Sequence, residues 1–256
     1  MKTVESGWEK IYIQKDKWIL DWFGKKAYTE YKKWINTNDK KILDAGFGSG
    51  RFCIALARDF PQSRIYGIDI SLNLVENANK LASELKLGNL EFIKDSIFNI
   101  SFPDNYFDVV FNEGVIEHFD NHEDAFEQMY RVTKKGGTII VGVPNWYNIP
   151  HTFRKWCIDK LKGKYEYGYE KSFKHEELIR LFKKYDMKDI EMTGYYPMQS
   201  IIRLSVFSRF SMLFNFSRVN IWGKWIEKLV ISPLDKLTNN SLSRKFGFEI
   251  VIKGIK

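Results

Sequence analysis

Apolar and polar positions change period along this chain, and each change marks an element. Trp8, Ile11, Trp18 and Trp22 fall at helical spacing with Ile19 and Phe23 beside them, which predicts a helix over residues 8–35. The short apolar run Lys41-Ile42-Leu43-Asp44 reads as a strand, and Phe52 to Arg58 as an amphipathic helix. Arg64 to Asp69 is a second strand, Leu72 to Leu85 a helix and Asn89 to Asp95 a third strand. Phe107 to Phe111 is the continuous apolar run of a strand buried on both faces. Asn121 to Val132 is helical, Gly136-Gly137 a turn and Thr138 to Pro144 a fifth strand. A helix from His175 to Phe182, capped near Ser172, precedes a strand from Met187 to Tyr195. The alternating, β-branched stretch Phe246 to Ile255 is the last strand. Strands alternating with helices predict an α/β fold with a parallel sheet covered on both faces.

The chemistry gathers where strands end. Asp44-Ala45-Gly46-Phe47-Gly48-Ser49-Gly50 joins the first strand to the first helix of this series. Such a strand, tight turn and helix start presents backbone N–H groups to a closely approaching ligand. The dinucleotide pattern G-x-G-x-x-G would need glycine where Arg51 stands, so a pyrophosphate is not the indicated ligand. The second strand ends at Asp69, the place where nucleotide-binding α/β folds hold ribose hydroxyls. Ser71 is a natural cap for the helix that follows.

This ordered set, with Asp95 after strand three and Asn112-Glu113-Gly114-Val115-Ile116-Glu117-His118 after strand four, resembles the class I S-adenosylmethionine-dependent methyltransferases, of the type acting on small-molecule or lipid acceptors. The resemblance covers about residues 40–195 and the final strand. It implies a Rossmann-like three-layer sandwich: a seven-stranded, mostly parallel sheet with an antiparallel last strand, plus helical insertions. It implies that Asp44, Gly46, Gly48, Gly50, Asp69, Ile70, Asp95, Ser96, Ile97, Asn112 and Glu113 hold the cofactor. In that family an acid at Asp95 accepts from the adenine amine, and the next backbone N–H, here Ser96, meets a ring nitrogen. Ile97 and Phe98 would be apolar neighbours of the adenine. His118 is the first candidate for a general base and Glu113 for an acceptor contact, with His122, His151 and His175 as alternatives. Nucleic-acid amino-methyltransferases usually carry N-P-P-Y or D-P-P-Y where this chain has Asn112-Glu113-Gly114-Val115, which argues against DNA adenine or cytosine-N4 methylation.

At 256 residues the chain is expected to be one domain. Within it, 1–36 is an N-terminal helical cap and possible lid, 40–144 the cofactor-binding core, 145–171 and 196–245 insertions over the substrate cleft, and 246–255 the last strand. Cys53 and Cys157 are isolated, so they form neither a disulfide framework nor a metal-ligand cluster. Residues 1–8 lack the apolar run of a secretory signal, and no uncharged apolar stretch approaches ~20 residues, so a cytoplasmic protein is expected.

Composition changes the picture at one place. The net charge is +8, and residues 196–245 carry eight bases against two acids, or +6 of that total. Phe207, Phe210, Phe214, Phe216, Trp222 and Trp225 lie among those bases. Helices of this kind either cover a cleft or rest against an anionic membrane surface. The resulting expectation is methyl transfer to an O, N or C atom of a small-molecule or lipid-like acceptor. The rivals are an RNA methyltransferase that uses the basic insertion and a methyltransferase-like protein that binds cofactor without turnover.

Overall fold

The computed structural model describes residues 20, 22–36, 38–160, 168–195 and 240–256. Seven strands form one sheet: β1 (Lys41–Ala45), β2 (Arg64–Asp69), β3 (Leu90–Lys94), β4 (Phe107–Glu113), β5 (Thr133–Pro144), β6 (Lys188–Tyr195) and β7 (Glu249–Ile255). The described helices are α1 (Trp22–Lys32), α2 (Arg51–Asp59), α3 (Leu72–Glu84), α4 (His122–Val132), α5 (Ile149–Lys160), α6 (His175–Lys184) and α7 (Asn240–Phe246). A short 3₁₀ turn, Ile116–His118, follows β4.

The strand order is β3-β2-β1-β4-β5-β7-β6, with β1 to β5 pairing in parallel and β7 antiparallel to both its neighbours. Alternation along the strands sorts side chains onto two faces. Ile42, Ile65, Val109 and Ile140 pack with α1, α2 and α3, while Leu43, Tyr66, Val110 and Ile139 pack with α4 and α6. Full burial of side chains this size contributes about 1.5–3 kcal/mol each. Phe107 breaks the alternation and packs on the α4 face. The register slips there: between the Phe107–Thr133 and Val109–Thr138 pairs, β4 advances two residues and β5 five. The order reverses between β1 and β4, which opens a crevice at their carboxyl ends.

The structure moves several expected boundaries. Strand β5 begins at Thr133 rather than Thr138, because Thr133 pairs with Phe107 across the register slip. Gly136 (φ +77°) turns within that strand. Helix α6 is capped at Lys174 rather than Ser172, since the Lys174 N–H donates to the Glu177 carboxylate at 2.8 Å. The last strand begins at Glu249 rather than Phe246, because residues 240–246 coil into α7 and Gly247 N–H donates back to Ser243 O. In the N-terminal helix, Tyr28 and Tyr31 are buried core residues, and Tyr31 Oη donates to Asn112 O at 3.1 Å. The helix expected over 8–21 lies outside the described residues except Leu20, as does the 196–239 insertion.

Candidate active site

A cavity of about 380 Å³ opens at the reversal of strand order. Its wall is built from four strand ends. After β1, the backbone turns at Gly46, whose N–H and that of Phe47 both donate to Ile68 O, at 2.9 and 3.1 Å. After β2, Asp69 reaches back: Oδ2 accepts from Gly48 N–H at 3.1 Å and Oδ1 from Ser71 N–H at 3.0 Å. Ser71 caps α3 by accepting from Leu74 N–H at 3.2 Å. Asp69 therefore fixes the glycine turn and the start of α3 while its carboxylate stays on the cavity wall.

Asp44, Gly46, Gly48, Asp69, Ile70, Asp95, Ser96, Ile97, Glu113 and His118 all line this cavity. Two expected cofactor contacts do not. Gly50 (φ +71°) begins α2, and its α-carbon faces the ring of Phe92, not the cavity. Asn112 is fully buried beneath it: Nδ2 donates to Ala45 O and Oδ1 accepts from Ile116 N–H at 3.4 Å. It is a strut that joins the ends of β1 and β4. Asn112→Asp would set an anionic oxygen against Ala45 O in a dry site, and a loss of about 3 kcal/mol is expected in urea-melt midpoints.

The expected Ser96 contact also changes. Its N–H donates to Asp95 Oδ1 at 2.8 Å, and Ser101 donates through its N–H and hydroxyl to the same carboxylate at 2.8 and 3.1 Å. Asp95 thus organises its own loop, and Ser96 N–H is turned into that loop. Beyond it, Phe98 meets Phe119 edge to face with centroids 4.9 Å apart, closing an apolar end of the cavity.

The inner end is acidic. Asp44 is buried and accepts from Cys53 Sγ–H at 3.3 Å. Burial holds its carboxyl well above the ordinary range, against the pull of that hydrogen bond. Burial pushes Glu117 up likewise, with Glu170 and Glu249 repelling it further, and its Oε2 has no hydrogen-bond partner among the described residues. Glu249, at the start of β7, is pushed up to about 8 by burial and by Glu113, and it accepts from Tyr195 Oη.

His118 sits on the cavity wall with Nδ1 2.6 Å from Tyr169 O. A carbonyl can only accept, so Nδ1 carries the proton and Nε2 the lone pair. Nε2 lies 3.7 Å from Glu117 Oε1. Desolvation lowers the His118 pKa below its ordinary value, outweighing the Tyr169 carbonyl and Glu170. The alternative histidines are elsewhere. His151 is buried against Glu170 with Nε2 3.2 Å from its Oε1, His122 packs on Phe173 and His175 on Tyr147. His151 was expected near the cleft because it lies on the first insertion, but the Glu170 carboxylate and the Phe248 ring hold it inward.

Phe47, Arg51, Phe52, Leu74 and Val115 also line the cavity, although none stands out in the sequence as a site residue. Phe47 occupies a variable position of the glycine turn, and Arg51 and Phe52 the first turn of α2. For these three the signal was their place in or beside the glycine turn, where side chains are held near a ligand by the turn itself; Leu74 and Val115 carried none.

The turn, the acid ending β2 and the apolar far end together fit a nucleoside joined to an amino acid, a shape that a strand-order reversal commonly receives. Comparison with known proteins gives the same answer. A family model described as a methyltransferase domain matches residues 36–190. A demethylmenaquinone methyltransferase of Geobacillus sp. (strain WCH70) is 30% identical over 173 residues, 61% of this chain and 74% of that enzyme. A sterol 24-C-methyltransferase of Neurospora crassa is 35% identical over 109 residues, which span 42% of this chain and 28% of that enzyme. In fold, the chain is similar to a geranyl diphosphate C-methyltransferase from Streptomyces coelicolor, with a TM-score of 0.60, 16% identity and coverage of 91% of this chain and 77% of that one. With more than half its length matched, and with the turn and acids in order around one cavity, the chain belongs to the methyltransferase domain family and is a class I S-adenosylmethionine-dependent methyltransferase.

Proposed function

We propose that this enzyme transfers the methyl group by in-line displacement to an O, N or C atom of a small-molecule or lipid-like acceptor that enters beside Glu113 and His118. The observation that carries this reading is one cavity lined by both Asp69 and His118, which brings an acid suited to ribose and a histidine with a proton-free Nε2 to the same site. S-adenosylmethionine, when bound, supplies a methyl on a sulfonium that is already activated for displacement. The chain's tasks are then to hold, to orient and to keep water out. Asp69 accepts from ribose hydroxyls, while Asp95, Ile97 and Phe98 surround the base. Asp44 and Glu113 place carboxyl groups where bound ammonium and sulfonium charge draws them into the ionised form. Asn112 and Gly50 support this wall from behind.

His118 Nε2 takes the proton from an acceptor that arrives protonated. Because burial lowers its pKa, the imidazole is neutral over the neutral range and its function is lost as pH falls through that lowered value. The expected profile of kcat/KM is flat above the ordinary histidine value of about 6.5 and falls with an inflection below it. His118→Gln should lower kcat by about a hundredfold and leave cofactor affinity near wild type. A profile that keeps its inflection in the glutamine variant would remove His118 from the role.

A lipid-like acceptor is favoured by the relatives, since their names include a menaquinone precursor and a sterol as substrates. The same proposal includes a cytoplasmic location and peripheral contact with anionic membrane through 196–245, by its basic and aromatic composition. The domain layout is part of it too: a cap at 1–36, a core at 40–144, and the acceptor cleft bounded by 145–171 and 196–245. The test is transfer of labelled methyl into a host extract, separated into organic-soluble, nucleic-acid and small aqueous fractions. Label in the organic fraction is expected. Label in RNA, with affinity that falls steeply with salt, would replace this acceptor class with the RNA reading.

A further inference from the structure

We propose that the outward face of α5 is a membrane-docking surface, lying in the headgroup layer of an anionic bilayer beside the acceptor entrance. Trp146, Ile149, Phe153 and Trp156 follow one another at spacings of three and four, so they share one side of the helix and its leading turn. Their exposures are 47, 72, 50 and 54%, half of the exposed large apolar side chains among the described residues. Phe153 and Trp156 stack at 5.8 Å, which makes one continuous ridge rather than scattered contacts.

The opposite side of the helix is already committed. His151 is buried against Glu170, and Lys155 Nζ lies 3.1 Å from the same carboxylate. The flanking residues of Glu170 bond to the site: Tyr169 O meets His118 Nδ1 at 2.6 Å and Lys171 N–H donates to Glu117 O at 2.8 Å. The helix is therefore fixed to the cavity wall through its inner face while its ridge points away.

Charge selects lipid as the occupant. Lys174 Nζ stands 5.6 Å from the centre of the Trp146 ring at one end, and exposed Lys160 continues the ridge at the other. Asp159 is the one acid on α5, against Arg154 and Lys160, with Lys155 committed to Glu170 on the inner face. Aromatic rings with cations at both ends suit the interface of an anionic bilayer, where rings sit at headgroup depth and lysines meet phosphates. Twelve residues are too few to cross a bilayer, and no described helix is long and apolar enough to do so, so the contact is in plane. The purpose of this surface rests on the reading of a lipid-like acceptor, but its test does not need that acceptor.

The test is flotation of the full chain with phosphatidylcholine vesicles, with and without phosphatidylglycerol, for wild type, a Phe153→Ser/Trp156→Ser variant and Ile149→Glu. Wild type is expected to float with the anionic vesicles and to be released by salt. Each variant is expected to lose roughly tenfold or more in partitioning. Titration with S-adenosylmethionine reports separately on the fold and on the methyltransferase site, and should be unchanged in the variants. Variants that float like wild type, or a wild type that ignores anionic vesicles, would overturn the proposal even with cofactor affinity intact. So would a ridge that pairs two copies, seen as a dimer in wild type, a monomer in the variants and no flotation in either.

Discussion

Asp69→Ala is expected to weaken S-adenosylmethionine binding by roughly a hundredfold or more, the value of two lost charge-assisted hydrogen bonds at about 1.5–3 kcal/mol each. The loss has two parts. The carboxylate proposed to accept from the ribose is gone, and so are the bonds from Gly48 and Ser71 N–H that hold the turn and the start of α3. Asp69→Asn separates them. The amide keeps the size and one acceptor oxygen, but its NH₂ either opposes one of those two backbone donors or meets a ribose hydroxyl that must turn to accept, without the charge. A loss of about tenfold is expected for it. Calorimetric titration measures both affinities, and a urea melt shows how much of each is stability of the turn. If the alanine variant binds within about threefold of wild type, less than a single hydrogen bond is worth, Asp69 holds the loop and nothing else.

The same residue shows why much of this site could be read before the fold was seen. Asp44 and Asp69 each close a short apolar run, and the end of a run is local information. In a doubly wound sheet those ends converge, so residues far apart in sequence meet without any further signal. Asn112 marks where such reading stops. It too ends a strand, and its residue type is as fit to bond a ligand as to bond Ala45 O and Ile116 N–H. Only the position of neighbouring β1 decides between the two. His151 is similar: its residue type suits a site, but its turn toward Glu170 and Phe248 is a tertiary event.

Boundaries failed where polar residues pair at a distance. Gly136-Gly137 look like a turn, and Gly136 does turn there (φ +77°), yet the strand already starts at Thr133, which pairs with Phe107, and Gly136 N–H donates to Lys256 O. Pairing on either side of them, not their residue types, carries the strand through. Phe246 to Phe248 look like the start of an alternating strand. Asn145 Nδ2 instead donates to the carbonyls of Lys245 and Gly247, and this side-chain clasp spans a hundred residues of sequence. Local propensity has no access to partners so remote.

Gly46→Ala is expected to destabilise the fold strongly, through both backbone and packing. At φ +95° an L side chain is already strained, by about 1–2 kcal/mol on the scale of left-handed backbone. A β-carbon there would also lie 2.6 Å from Val115 Cγ2 and 2.9 Å from Cγ1, closer than such atoms approach. Val115 is β-branched and holds the entry to the 3₁₀ turn that carries His118, so it cannot swing aside freely. Overpacking of this kind costs about 1–3 kcal/mol, so the total is about 3 kcal/mol, a large share of the ~5–15 kcal/mol that keeps a domain folded. For a chain of this length that corresponds to a melting point lower by roughly 10 °C. Gly46→Ala/Val115→Ala removes both clashing methyls. The double variant should regain the packing part, with a coupling of about 1–2 kcal/mol in urea melts, and keep the backbone part. Coupling near zero would mean that the collision is relieved by a shift of the whole turn. In that case cofactor affinity, not stability, would record the damage, because Asp69 grips the same turn two residues on, at Gly48.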